Sequence, residues 1–231
     1  MAYADWAGLR PTTELEFEKA ARGKDITPVA NEYVWGTTST NPALANEIFP
    51  NSNEDGTERI FDGSANINSN SLAWSSGDGR AGGPADGQSG PLRVGIFAET
   101  STSRATSGGA YYGCMELSGN LSEMVVTIGR NQGREFLGTH GDGELSALSS
   151  YEGNATNADW PGIDVTDAAR GVTGTVGMGY RGGDFNSANS RFFQTSTRAH
   201  AATDADSEGY DQRYDASFGV FGGGRLARTA P

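Results

Sequence analysis

The stretch YYGCMELSGNLSEM (residues 111–124) is the most informative part of this chain. Its two carboxylates, Glu116 and Glu123, flank a Gly119-Asn120 pair that is typical of a turn. Such a turn would bring the carboxylates together with backbone carbonyls between them, and Ca²⁺ takes this mixture of oxygen ligands. The spacing alone favours an ordinary turn with solvated acids, so calcium binding needs support from elsewhere in the sequence.

A helix is predicted upstream, within PTTELEFEKAARG (residues 11–23). Thr13 is the expected N-cap, and Glu16 three residues later completes a capping box. Acids in the first turn and bases in the last turn suit the helix dipole, and Gly23 suits a left-handed end. The acids of this segment are therefore interpreted as structural and not as catalytic.

Composition and charge exclude several classes of protein. The 231 residues include 34 glycines, without the three-residue period of collagen, and the length suits a single domain over residues 1–231. A net charge of −12 argues against nucleic acid as a partner, and no apolar run is long enough to insert into a membrane. With Cys114 as its one cysteine, the chain can form neither an internal disulfide nor a cysteine-based metal cluster.

The remaining sequence predicts short strands between long loops. Apolar runs at residues 32–35, 92–97 and 124–128 are interpreted as strands, and Trp160-Pro161-Gly162 as a turn. Residues 37–110 are mostly small and polar. Long loops of this kind in a compact domain are usually functional or organised by a metal.

Four separated blocks resemble the formylglycine-generating enzyme (sulfatase-modifying factor) family. They are GLRPTTELEFEKAARG (residues 8–23), YVWG (33–36), YGCMELSGNLSEM (112–124) and RGGDF (181–185), followed by a closing GGGR (222–225). The resemblance implies an α+β, C-type-lectin-like fold that is loop-rich, with short antiparallel strands and one or two helices. In the family the first block lies in mid-domain, so we expect the N-terminal part of the family domain to be missing here.

The resemblance also implies structural Ca²⁺. Carried over by position, the ligands of one site are the Glu116 and Glu123 side chains and the Gly119 and Leu121 carbonyls. A second site is expected at Ala65-Asn66-Ile67, through the Asn66 side chain and the Ile67 carbonyl. Asp78 or Asp86 would complete that second site.

The chain departs from the enzymes of the family at their metal sites. The copper-binding cysteine pair that follows the fourth block is absent, and so is the His-rich helical domain of the iron-dependent relatives. Only His140 and His200 are available as histidine ligands. We therefore predict no catalytic residues and a protein that is not an enzyme.

Some relatives, the variable proteins of diversity-generating retroelements, use the segment after the fourth block as a binding surface. The corresponding segment here, residues 184–219, mixes aromatic and small polar side chains, as binding surfaces do. The expected contact residues are Asn186, Ser187, Asn189, Phe192, Gln194, His200, Tyr210 and Tyr214. In the alternative interpretation Phe185, Phe192 and Phe193 belong to the core, and for these three the core is favoured.

Together these observations predict a non-catalytic, calcium-stabilised module for ligand binding, adhesion or assembly, located outside the cell or on its surface. Its partner would be a protein or a glycan, and a homo-oligomer is compatible with the sequence. Two alternatives are a divergent oxidoreductase of the same family and a structural subunit of an extracellular fibre or virus particle.

Overall fold

The computed structural model describes residues 1–43, 65–69, 91–185, 187, 189–201 and 222–229. Over these residues the chain is α+β and rich in loops, as predicted. The helices are α1 (Ala2–Trp6), α2 (Glu14–Arg22) and α3 (Asn131–Arg134), with 3-10 helices at Ala168–Arg170 and Ser190–Phe193. The strands are β1 (Arg10–Pro11), β2 (Ser122–Val126), β3 (Met178–Arg181), β4 (Gly222–Gly224) and β5 (Leu226–Ala227). None of the helices in these ranges has the length and apolar character needed to cross a membrane.

Helix α2 confirms the predicted capping box. The Thr13 hydroxyl accepts a hydrogen bond from the Glu16 amide at 3.1 Å, and the Glu16 carboxylate accepts one from the Thr13 amide at 3.0 Å. Burial of the Glu16 carboxyl acts to raise its pKa, but hydrogen bonds from Arg10 and Thr13 outweigh it and lower the pKa to about 2. At the other end Gly23 has φ 78° and donates to the Lys19 carbonyl at 2.8 Å.

Strand β2 is the centre of the three-stranded sheet β3-β2-β4. It pairs antiparallel with β3, so that Glu123 lies opposite Arg181, and parallel with β4, so that Glu123 lies beside Gly223. A second, two-stranded sheet pairs β1 with β5 antiparallel. The third block, the fourth block and the closing GGGR block therefore meet at β2, although they are far apart in the sequence.

Two of the three predicted strands are wrong. At residues 32–35 only Tyr33 forms an isolated bridge, to Gln194, and the chain then turns at Gly36. Residues 92–97 form successive turns, with the Ile96 amide bonded to the Arg93 carbonyl at 3.2 Å. The apolar side chains of the first run are buried, and so are Ile96 and Phe97 of the second, whereas Val94 is 55% exposed. The apolar pattern therefore indicated burial at most of these positions but not a strand.

The third predicted strand is confirmed with shifted bounds, since residues 124–128 were expected and β2 covers Ser122–Val126. The turn at residues 160–162 is also confirmed. The Ile163 amide donates to the Trp160 carbonyl at 3.3 Å, and Gly162 has φ 79°. Positive φ after a proline is typical of a type II turn.

A buried arginine joins the helix to the sheet. The Arg181 guanidinium donates to Glu14 at 3.3 Å, to Glu18 at 2.6 Å and to the Thr195 carbonyl at 2.5 Å. It also lies 4.8 Å from the ring centroid of Phe17. Since the Arg181 and Glu14 side chains are each 1% exposed, this pair is shielded from water.

The ion pairs continue in both directions from Arg181. Glu14 also accepts from Arg198 at 2.6 Å, and Glu18 also accepts from Arg22 at 2.8 Å. Arg22 in turn contacts Glu32. Three acids and three arginines therefore alternate along one face of α2, and their charges cancel.

The main hydrophobic core lies beside this ionic chain. It gathers side chains from α2, β2, the 33–35 segment and the 3-10 helix Ser190–Phe193, namely Phe17, Ala21, Tyr33, Val34, Trp35, Ile67, Ala110, Leu117, Val125 and Phe193. A smaller core of Ala4, Ala155 and Trp160 holds α1. Helix α2 is therefore fixed by apolar contacts on one side and by Arg181 on the other.

We expect Arg181→Met to lower the free energy of unfolding by about 3–5 kcal/mol, because it removes the one fully buried counter-charge of the buried Glu14 carboxylate and one of the two arginine partners of Glu18. Arg198→Met removes a second partner of Glu14, but the Arg198 side chain is 44% exposed and water can replace it. The loss in that control is expected to be about 1 kcal/mol or less. Urea unfolding of both variants measures the difference, and equal losses would contradict the central role of Arg181.

Candidate metal centre

The predicted turn between Glu116 and Glu123 is present and tightly held. Glu116, Gly119 and Asn120 all have positive φ, at 60°, 77° and 65°. A Cβ on Gly119 would lie 2.6 Å from the Asn68 carbonyl oxygen, so only glycine fits this approach. The Gly119 amide donates to the Gly182 carbonyl at 2.8 Å, which ties the turn to the fourth block.

Asn120 is the residue of this turn that the sequence analysis missed. Its side-chain oxygen accepts from the Leu92 amide at 2.6 Å and from Asn68 at 3.1 Å, and its side-chain nitrogen donates to the Leu92 carbonyl at 3.0 Å. Its backbone carbonyl accepts from Phe185 at 2.8 Å. The Gly-Asn pair was a signal for the turn, but nothing local identified the partners of the side chain.

Both carboxylates of the turn are buried, with Glu116 4% and Glu123 5% exposed. Glu123 accepts a hydrogen bond from the Arg225 guanidinium at 2.6 Å. The Oε1 atom of Glu116 is buried and has no hydrogen-bond partner within the described part of the chain. The expectation of ordinary solvated acids is therefore wrong, and one carboxylate oxygen is left unsatisfied.

Burial raises the pKa of Glu116 to about 8. The backbone of Gly95 and the charges of Arg225 and Arg93 act in the opposite direction, and the charge of Glu123 adds to the rise. Burial also raises the pKa of Glu123, against the opposing charge and hydrogen bond of Arg225. A free Glu116 carboxyl therefore holds a proton at neutral pH, or requires a further cation to ionise.

The donor set of this turn fits a hard cation such as Ca²⁺. Two buried carboxylates are available, one of them with an unpartnered oxygen, and Ca²⁺ prefers oxygen ligands. Among the described residues no group of three His, Cys, Asp or Glu side chains gathers around a common point. A cation here would therefore need backbone carbonyls, and Gly119 and Leu121 are the expected donors.

At the second predicted metal site, the expected ligand atoms already accept hydrogen bonds from the backbone. The Asn66 side-chain oxygen accepts from the Asn41 amide at 2.8 Å, and its nitrogen donates to the Ala105 carbonyl at 2.9 Å. The Ile67 carbonyl accepts from the Ala43 amide at 2.9 Å. These atoms join three loops, and metal binding by Asn66 and Ile67 stays a prediction, since Asp78 and Asp86 lie outside the described residues.

The predicted binding surface is only partly on the surface. Asn189 is exposed and Gln194 is half-buried, whereas Ser187, Phe192 and His200 are each 8% exposed. The Phe192 and His200 rings lie 4.6 Å apart, centroid to centroid. Burial of Phe185, Phe192 and Phe193 confirms the core interpretation of these three, and Asn186, Tyr210 and Tyr214 lie outside the described residues.

The other side chains considered in the sequence analysis lie apart from this turn or at its edge. The His140 ring accepts a hydrogen bond from the Thr229 amide at 3.0 Å, and Cys114 packs, half-buried, against the main core. Arg225 was noted only as part of a closing motif, and its role as the partner of Glu123 required the three-dimensional structure.

No protein-family model matches this chain, and neither a curated protein nor a solved structure matches it. The resemblance to the formylglycine-generating enzyme family therefore rests on the sequence blocks alone.

We expect the stability of the metal-free chain to fall as the pH rises from about 5 to about 8, partly because of Glu116. An unfolded glutamate releases its proton near the ordinary glutamate pKa of 4.5, whereas Glu116 in the folded chain has a pKa of about 8 and retains its proton up to that pH. Between these values the unfolded state binds fewer protons, so the free energy of unfolding decreases with pH. Urea unfolding in the presence of a chelator measures this decrease.

Glu116→Gln keeps the size of the side chain and has no charge to bury, so its decrease with pH should be smaller than in the wild type. Glu152→Gln is the matched control, because Glu152 is exposed. An undiminished pH dependence in Glu116→Gln, equal to that of the control, would contradict the assignment.

Proposed function

We propose that this chain is a non-catalytic, calcium-stabilised binding module with a C-type-lectin-like fold, related to the formylglycine-generating enzyme family. The observation that carries the proposal is the buried, unpartnered Oε1 atom of Glu116 in a turn that also holds Glu123. A bound Ca²⁺ would satisfy this oxygen and would remove the cost of burying it. In this role Glu116, Glu123 and the carbonyls of Gly119 and Leu121 hold the ion.

The arrangement of the sequence blocks supports the relationship to the family. The first block (residues 8–23) contacts the fourth (residues 181–185) through the ion pair of Glu14 and Arg181. The third block (residues 112–124) pairs with the fourth in the sheet, with Glu123 opposite Arg181. The second block contacts the segment after the fourth through the bridge between Tyr33 and Gln194. Residues selected for a resemblance in sequence are therefore neighbours in space.

The chemistry of the site supports a location outside the cell. Two carboxylates would form a calcium site of low charge, and Ca²⁺ would compete with Arg225 for one of them, Glu123. Sites of extracellular modules bind Ca²⁺ with dissociation constants of about 10⁻⁴–10⁻³ M, which the calcium outside cells can fill. The calcium in this proposal is structural, since it would tie the turn to the rest of the fold.

Exposed aromatic pairs support a protein or glycan ligand. Tyr3 and Trp6 of α1 are 65% and 66% exposed, with ring centroids 5.9 Å apart. Tyr111 and Tyr112 are also exposed, with centroids 4.9 Å apart. Tyrosine and tryptophan provide large, rigid contact surfaces at a low cost in conformational entropy.

Calcium is expected to raise the melting temperature by about 5–10 °C at a concentration about 100-fold above its dissociation constant. The rise occurs because an ion that binds only the native state stabilises it by mass action. Thermal unfolding in Ca²⁺ and in a chelator measures it for the wild type, Glu116→Gln and Glu152→Gln. The rise should disappear in Glu116→Gln and persist in Glu152→Gln, and an equal rise in all three would contradict the proposed site.

A second experiment tests ligand binding. We expect saturable binding of the wild type to a member of a glycan array or of a panel of extracellular proteins. Gln194→Ala should weaken that binding several-fold, since Gln194 is a described, half-exposed residue of the predicted surface. Gln132→Ala, on α3, is the control with similar exposure. Binding that is unaffected by Gln194→Ala, or equally affected by the control, would count against this surface.

A further inference from the structure

Arg225 connects the C-terminal described segment to the candidate metal turn. Its Nε atom donates to Glu123 Oε1 at 2.6 Å, and its Nη2 atom donates to the Met115 carbonyl at 2.5 Å. Its own carbonyl accepts from the Thr12 hydroxyl at 2.8 Å. The guanidinium therefore bridges the residue before Glu116 and the carboxylate at the far end of the turn.

The other contacts of residues 222–229 are mostly backbone contacts. Strand β4 consists of three glycines that pair with β2, and β5 is a two-residue strand that pairs with β1. Gly222 and Gly224 are exposed, and glycine has no side chain to pack. The Arg225 side chain, 32% exposed, is therefore a principal anchor of this segment.

The same Glu123 carboxylate is the expected calcium ligand. A Ca²⁺ ion lies 2.3–2.6 Å from the oxygens that bind it, as a general rule of calcium coordination. A guanidinium bonded to Glu123 Oε1 would be within a few ångströms of that ion, as an estimate from about two such contact lengths. Because Glu123 is buried, solvent screens this repulsion poorly.

We propose that Arg225 is an internal counter-ion that Ca²⁺ displaces from Glu123, so that calcium binding loosens residues 222–229. The inference rests on the proposed calcium site and adds a consequence to it. Calcium would stabilise the turn and the body of the fold, while the C-terminal segment would lose its charged anchor. The chain would then present its C-terminal segment differently with and without calcium.

The test combines two measurements on the full chain, with Ca²⁺ itself as the probe. Isothermal titration gives the calcium affinity of the wild type, Arg225→Gln and Arg228→Gln. Arg228 is the matched control, because it lies three residues further on, is exposed, and loses the same charge on substitution. Hydrogen exchange of peptides covering residues 222–229, with Ca²⁺ and with a chelator, reports the loosening.

Displacement predicts that Arg225→Gln binds Ca²⁺ about tenfold more tightly than the wild type, because a competing like charge is removed. Arg228→Gln should stay within about twofold, because solvent screens an exposed charge. In the wild type, exchange at residues 222–229 should be several-fold faster with Ca²⁺. If Arg225→Gln does not fold, hydrogen exchange of the wild type at residues 222–229, with and without Ca²⁺, tests the displacement by itself.

The contrary results separate this inference from the proposed function. If the wild type binds Ca²⁺ but exchange at residues 222–229 slows or stays the same, the displacement is wrong and the calcium site stands. Unchanged or weaker binding by Arg225→Gln leads to the same conclusion. If neither the wild type nor Arg225→Gln binds Ca²⁺, the proposed site fails, and the displacement fails with it.

Discussion

The burial of the Arg181 guanidinium is the constraint on which the rest of the described structure depends. A charge removed from water must be neutralised at close range, or the fold pays several kcal/mol. Glu14 and Glu18 provide the neutralisation, and their spacing of one helical turn requires α2 to present this face to β3. The capping box fixes the residue at which α2 begins. It therefore also fixes the positions of Glu14 and Glu18 along the helix relative to Arg181.

The same strand pairing that buries Arg181 also positions the candidate metal centre. Arg181 lies opposite Glu123 in the antiparallel pair of β3 and β2, so the position of one residue determines the position of the other. The Gly119 amide bonds to the carbonyl of Gly182, the next residue after Arg181. The position of the turn between Glu116 and Glu123 therefore depends on the same residues of β3 that hold the ion pairs along α2.

Features determined by local chemistry were predictable from the sequence, and features determined by distant partners were not. The capping box of α2, the turn at Gly162 and most of strand β2 follow from residues within a few positions of each other. The apolar run at residues 32–35 indicated burial correctly, but its strand partner was a single residue, Gln194. The burial of Phe192 against His200 and the pairing of Arg225 with Glu123 likewise join distant parts of the chain.

In the ranges that the structure describes, the buried turn contains two acids and one arginine bonded directly to them, Arg225, and this imbalance has a physical consequence. An apolar or amide side chain at position 116 would avoid the cost of burying Glu116, so packing alone does not explain the carboxyl group. The carboxyl has two ways to avoid an unpaired charge, which are to keep its proton or to bind a cation. Its pKa of about 8 means that a cation arriving at neutral pH must displace that proton. The burial that raises the pKa also strengthens the attraction between the ionised carboxylate and the cation, because few water molecules compete there. In the proposed site, the cost of burying the Glu116 carboxyl and its affinity for a cation would therefore have the same origin, which is the exclusion of water from Glu116.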